Sequence, residues 1–196
     1  MKAYYHARAG EYDDWWLGRG LYTDRDRPGW EEELDQLAAT LGALPPVRTL
    51  DVACGTGFLT RHLPGEIVGL DASGAMIEIG RETVPQARFV VGDALELPFP
   101  DASFDRVFTS YFYCHLEEPE RLRFLAEARR VAAELLIVAS RPGAGDDRER
   151  GEERVLKDGS RWRVFKRVFE PDDLLAELGG GRVLHAGRWF VAVVSQ

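Results

Sequence analysis

The sequence predicts an α/β domain with a doubly wound, mostly parallel sheet, and three observations predict it. Between residues 47 and 140, short β-type runs alternate with helical stretches, joined by brief connections. That alternation is how parallel strands linked by crossover helices read in sequence. The first run delivers an acidic residue and then a glycine-bearing turn, Asp51-Val52-Ala53-Cys54-Gly55-Thr56-Gly57. A length of 196 residues suits one domain, read as a single unit over 1–196.

Each element follows from its local pattern. Residues 1–30 are aromatic and polar, with Tyr4, Tyr5, Tyr12, Trp15, Trp16, Tyr22 and Trp30 among Asp, Arg and Gly. Such a segment needs a surface to cover, and we expect it to act as a lid. Leu34, Leu37, Ala38 and Leu41 share one helical face over 31–44, and Pro45-Pro46 ends that helix. VRTLDVA (47–53), EIVGLDA (66–72), ARFVVGD (87–93), a run within 103–112 and ELLIVAS (134–140) read as five strands. FLTRHL (58–63), SGAMIEIGRETV (73–84) and PERLRFLAEARRVA (119–132) read as helices, the second with Ser73 as N-cap. Residues 141–153 read as a polar loop, and 154–165 as a hairpin with a two-residue Asp158-Gly159 turn. A short helix at 171–178 and two closing strands within 182–194 complete a C-terminal part, 170–196.

Composition narrows the function. An apolar share of 45% and a charged share of 30% describe an ordinary globular protein. No apolar run approaches the roughly 20 residues of a membrane span, and the opening MKAYYHARAGEYDDWW lacks a signal-peptide core. A cytoplasmic protein with no membrane partner is expected. Two cysteines, Cys54 and Cys114, are too few for a disulfide scaffold or a cysteine-rich zinc site, and no metal site is expected. The net charge of −8 opposes nucleic acid as a partner. Nothing in the sequence fixes an oligomeric state.

The chemistry concentrates at the strand ends. Gly55 and Gly57 permit left-handed backbone and close approach of a ligand, at the carboxyl end of a central strand where open α/β sheets bind ligands. Asp71 ends the second strand, as suits a carboxylate that accepts from two ribose hydroxyls. Gly92-Asp93-Ala94 ends the third, where a carboxylate and a backbone N–H can read an adenine edge. Three acids on one rim make a poor cradle for pyrophosphate and a good one for a cationic nucleoside.

LDVACGTG (50–57), VGLDAS (68–73) with Met76-Ile77, GDALELPFPDASFDRVF (92–108) and YCHL (113–116) resemble the successive signature segments of class I S-adenosylmethionine-dependent methyltransferases, over about residues 47–140. The resemblance implies a seven-stranded sheet, its last strand antiparallel. It implies S-adenosylmethionine as cofactor and S-adenosylhomocysteine as product. Ala53, Gly55 and Gly57 would border the methionine moiety, with Asp51 near its amino group. Asp71 would hold the ribose, Met76 would pack near the adenosine, Asp93 and Ala94 would read adenine, and Ser110 and Tyr111 would lie near the sulfonium. The family commonly has glycine where this chain has Ala53. Tyr111, Tyr12 and Trp16 are aromatic faces for the sulfonium. His115 and Tyr111 are the candidate catalytic side chains, His115 set against a role in holding the loop after the fourth strand.

A nicotinamide-dependent oxidoreductase is the rival on a similar fold, but its fingerprint needs a third glycine where Thr60 stands. The other alternative is a cofactor-binding protein without turnover. The acceptor is expected to be a small molecule, shaped by the N-terminal segment and residues 141–169. Arg154, Lys157, Arg161, Arg163, Lys166 and Arg167 of the hairpin are a solvated face or the place to look for an acidic acceptor.

Overall fold

The computed structural model describes residues 2–143 and 145–196. Met1 and Ala144, at the edges of the expected lid and within the expected 141–153 loop, lie outside the described residues. In chain order the elements are α1 (Lys2–Arg8), α2 (Tyr12–Leu17), α3 (Trp30–Gly42), β1 (Val47–Val52), β2 (Gly65–Asp71), α4 (Gly74–Thr83), β3 (Arg88–Val91), β4 (Phe104–Ser110), α5 (Glu118–Val131) and β5 (Ala132–Ser140). β6 (Glu149–Val155), β7 (Arg161–Arg167), α6 (Pro171–Glu177), β8 (Arg182–Ala186) and β9 (Phe190–Ser195) follow. Seven strands form one sheet in the order β3-β2-β1-β4-β5-β9-β8, and β6 and β7 form a separate hairpin. β1 to β5 are mutually parallel, and β9 runs antiparallel to its neighbours β5 and β8. The order reverses between β1 and β4, so the turns leaving those strands diverge and open a crevice at their carboxyl ends.

The period-two geometry of a strand divides the core. On β5, Leu135, Ile137 and Ala139 join Phe124, Phe169 and Leu174 on one face of the sheet. Leu136 and Val138 join Leu37, Leu41, Phe108 and Phe190 on the other. Helix ends follow their local chemistry. The Ser73 hydroxyl accepts from Met76 N at 3.3 Å, capping α4 as expected. Glu117 and Glu120 form a capping box at the start of α5, with proline in the first turn.

Three expectations are corrected. FLTRHL forms only a 3₁₀ turn at Thr60–His62. Pro64 has no N–H to continue a helix, and Gly65 enters β2 at φ +98°, where a Cβ would lie 2.3 Å from the Val47 carbonyl. The connection is too short and too tightly held for a full helix. Residues 149–155, expected in a loop, are strand β6, paired with β7 from Glu149↔Arg167 to Val155↔Arg161. The hairpin turn has three residues rather than two. Leu156 N donates to Ser160 O at 3.0 Å and Gly159 N to Leu156 O at 2.9 Å. Gly159 closes it at φ +82°, a type I turn completed by a left-handed glycine.

The N-terminal segment divides between covering and packing. Tyr5 and Tyr12 reach the mouth of the crevice. Trp16 is only 2% exposed; it stacks on Phe58 at 4.9 Å and meets Tyr111 edge-on at 5.0 Å. The Trp16 carbonyl accepts from the Trp30 indole at 2.9 Å. Trp16 is thus an anchor in the sheet's core as much as part of a lid. Trp16→Ala should cost about 3–5 kcal/mol of stability, the range for emptying a buried aromatic site. Denaturant unfolding measures it, and a loss under about 1 kcal/mol would return Trp16 to a purely covering role.

Candidate functional site

A cavity of about 400 Å³ opens at the carboxyl ends of β1 to β4. Its wall brings together eight of the residues expected there: Tyr12, Ala53, Gly55, Asp71, Asp93, Ala94, Ser110 and Tyr111. Asp71 organises the centre. Its two oxygens accept from Gly55 N at 3.0 Å and Ser73 N at 2.8 Å. One carboxylate therefore joins the turn after β1 to the turn after β2, and each oxygen keeps acceptor capacity toward the cavity. Burial pushes the Asp71 carboxyl above its ordinary range, against the pull of those two N–H donors.

The backbone around the cavity is wound left-handed. Gly55 has φ +56°, as its glycine permits, but Ala53 at +58° and Tyr111 at +60° adopt the same conformation with side chains. That geometry costs an L-residue about 1–2 kcal/mol. Ala53 accordingly stands at a position whose backbone favours glycine, and Tyr111 is turned at the end of β4 with its N–H on Val138 O at 2.9 Å. Such strain collects where a structure holds a ligand-facing geometry.

Five expected residues lie behind the wall. Asp51 is 1% exposed beneath the glycine turn; its Oδ2 accepts from the Thr60 hydroxyl at 2.6 Å, and its Oδ1 is buried without a partner. Burial, and secondarily the Asp71 charge, push its carboxyl up to about 8. Gly57 serves packing, since a Cβ there would sit 3.0 Å from Val84 on the far side of the turn. Met76 is buried with its sulfur close to Gly55. Trp16 lies in the aromatic core, where its ring is spent on Phe58 and Tyr111 rather than on the cavity. His115 sits against Tyr5, ring centroids 6.1 Å apart, with Nδ1 2.7 Å from the Phe165 carbonyl of β7. A carbonyl only accepts, so Nδ1 carries the proton. Burial, then Lys166, holds His115 well below the usual histidine range, and the neutral ring pins the hairpin to the loop after β4.

The sequence did not single out Tyr5, Ser73, Leu116 or Glu120 for the wall. Tyr5 was visible only as one aromatic among many, Leu116 only as the end of the YCHL segment, and Glu120 only as part of a helix start. The N-terminal segment is tied to this wall: Thr56 Oγ1 donates to Asp13 at 2.5 Å, and Ser73 Oγ lies 3.3 Å from His6 Nδ1.

Residues 49–134, the stretch that builds this crevice, match the family described as a methyltransferase domain. Over nearly its whole length the chain superposes on DhpI in complex with SAM and HEP, at TM-score 0.74 and 25% identity, covering 99% of this chain and 95% of that one. A second DhpI structure, in complex with SAH, gives TM-score 0.70 and 27% identity, covering 98% and 92%. Residues 49–134 thus resemble a methyltransferase domain, in a chain that shares the overall fold of DhpI. The chain is also 40% identical over 94 residues to a demethylmenaquinone methyltransferase of Renibacterium salmoninarum, covering 46% of this chain and 39% of the relative. A demethylmenaquinone methyltransferase of Thermotoga maritima is 41% identical over 91 residues, covering 44% and 39%. The chain thus spans about two-fifths of the length of these curated relatives. Among the described residues no helix is long and apolar enough to cross a membrane, and no group of three or more His, Cys, Asp or Glu is placed to hold a metal.

The Asp51 carboxyl carries a testable linkage. Its folded pKa near 8 stands above an unfolded value of about 3.9. The native state therefore keeps a proton that the unfolded chain releases, and the resulting stability is full below about pH 4 and lost as pH rises through 8. Asp71 and Asp13, also raised by burial, act in the same direction. The ligand-free protein should lose unfolding free energy between pH 5 and 8, and Asp51→Asn should flatten that slope. Denaturant titrations at both ends of the range check it; a slope of opposite sign would place Asp51 ionised in the folded state.

Proposed function

We propose that this protein binds S-adenosylmethionine across the carboxyl ends of β1 to β3 and transfers its methyl group to a small molecule. The clasp of Asp71 on Gly55 and Ser73 carries the reading, because it leaves both carboxylate oxygens able to accept from ribose hydroxyls at the rim of the cavity. Asp93 and Ala94 would hold the adenine. Ala53 and Gly55 would pass along the methionine portion, with the unpartnered Oδ1 of Asp51 beneath them as a hydrogen-bond acceptor for its amino group. Gly57 and Met76 support that wall from behind. Ser110 and Tyr111 stand at the reacting end.

When bound, S-adenosylmethionine supplies an electrophilic methyl group on a sulfonium, which departs as a neutral thioether. The residues around it have two tasks, to align the acceptor and to exclude water. Tyr12 and Tyr111 offer aromatic faces, each worth about 0.5–2 kcal/mol to a nearby cation. Tyr5 and Tyr12, from outside the sheet, cover the opening. Asp71 and Asp93 at the strand ends repel a pyrophosphate, which disfavours the nicotinamide reading. The demethylmenaquinone methyltransferases match less than half of this chain, so their acceptor is not carried over to it.

Calorimetry should show S-adenosylhomocysteine binding and NAD failing to bind; NAD binding the more tightly would reverse the assignment. Asp71→Ala should weaken S-adenosylhomocysteine by about 1.5–3 kcal/mol, the value of hydrogen bonds to a charged group. An unchanged dissociation constant would remove Asp71 from the ribose site.

A further inference from the structure

Two buried cations each lie against a tyrosine ring of the cavity wall, and among the described residues neither has a carboxylate within salt-bridge distance. Lys166, on β7, is 5% exposed. Its ammonium donates to Ser140 Oγ at 2.6 Å and lies 4.8 Å from the centre of the Tyr111 ring. With three N–H donors and that one hydrogen-bond partner, it has donors to spare. Arg8, at the end of α1, is also 5% exposed. Its guanidinium lies 4.9 Å from the centre of the Tyr12 ring and donates to the Tyr4 hydroxyl at 3.1 Å, while its Nε is buried without a partner. Tyr111 and Tyr12 both line the cavity. Nearby, Arg150 and Arg154 both pair with Glu152, and Arg150 also with Asp146.

Burying an uncompensated charge is costly, and proteins ordinarily pair it. Here a chain of net charge −8 keeps two unpaired cations within ring-contact distance of the tyrosines that close its cavity. The acids of the site are Asp51, Asp71 and Asp93 near the ends of β1, β2 and β3, with Glu120 in the first turn of α5, and among the described residues none is within salt-bridge distance of Lys166 or Arg8. Resting on the methyl-transfer reading above, we infer that the acceptor is a small organic anion, whose carboxylate or phosphoryl group is held on the hairpin side by Lys166 with Arg8. The negative group would complete the charge balance of a pocket that also receives a sulfonium.

The test uses the full-length protein, with and without saturating S-adenosylhomocysteine, at constant ionic strength set by chloride. Benzoate, inorganic phosphate and the neutral benzamide are titrated by calorimetry. At least one anion should bind tenfold or more tightly than benzamide, and Lys166→Met should weaken that anion by about tenfold or more, as expected for the loss of a charged hydrogen bond. The same variant should leave the S-adenosylhomocysteine dissociation constant within about twofold, which also reports that the domain has folded. Lys166→Arg, which keeps the charge, should retain anion binding and covers the case in which the methionine variant does not fold. Benzamide binding as well as both anions, or anion binding indifferent to the loss of the Lys166 charge, would overturn the inference. Failure of S-adenosylhomocysteine to bind the unaltered protein would instead overturn the cofactor assignment, and the anion titration without it would still read the hairpin site.

Discussion

The grip of one carboxylate on two turns is the interaction on which the rest of the site depends. Asp71 accepts from Gly55 N and Ser73 N, so the loops leaving β1 and β2 are fixed to each other before any ligand arrives. Sheet order makes this possible, because β2 lies directly beside β1. Hydrogen bonds to an ionised acceptor are roughly twice as strong as neutral ones, enough to offset left-handed backbone at Ala53. The cavity floor is therefore rigid, and variation is left to the parts laid over it.

Charge of both signs surrounds that floor. Asp71 and Asp93 stand at strand ends, Glu120 lines the wall, and the hairpin carries Lys166 together with arginines paired to Glu149, Glu152 and Glu153. Tyr111 itself is held from three directions, by Trp15 at 5.0 Å, by Trp16 at 5.0 Å and by the Lys166 ammonium. A residue so placed cannot rotate freely, which suits a group facing a reacting centre better than a mobile side chain would.

The parallel core was legible in the sequence because strands buried on both faces read as apolar runs, and because left-handed turns advertise themselves where glycine fills them, as at Gly55. They are silent where another residue bears the strain, as at Ala53 and Tyr111. β6 was read as loop because Glu149 to Val155 are almost wholly polar. That strand is held by cross-strand ion pairs such as Arg161 with Glu153 at 2.5 Å and Arg167 with Glu149, which leave no hydrophobic alternation. Lys166 was visible as one of a basic run; its burial was not, because Ser140 and Tyr111 come from distant parts of the chain. Trp16 looked like part of a cover because nothing local shows that Phe58 waits beneath it.

The tip of the hairpin and the N-terminal segment are fastened to each other as well as to the core. Lys157 Nζ binds Asp14 at 2.5 Å, Lys157 N donates to Glu11 at 3.0 Å, and the Tyr4 and Trp162 rings meet at 5.9 Å. Stretches some 140 residues apart in the chain thus form one continuous canopy. Grafting a new acceptor preference onto this scaffold requires both stretches to be exchanged together, because either one transplanted alone would arrive without the other half of its fastening. The two must drift as a pair while the strand ends beneath them stay fixed.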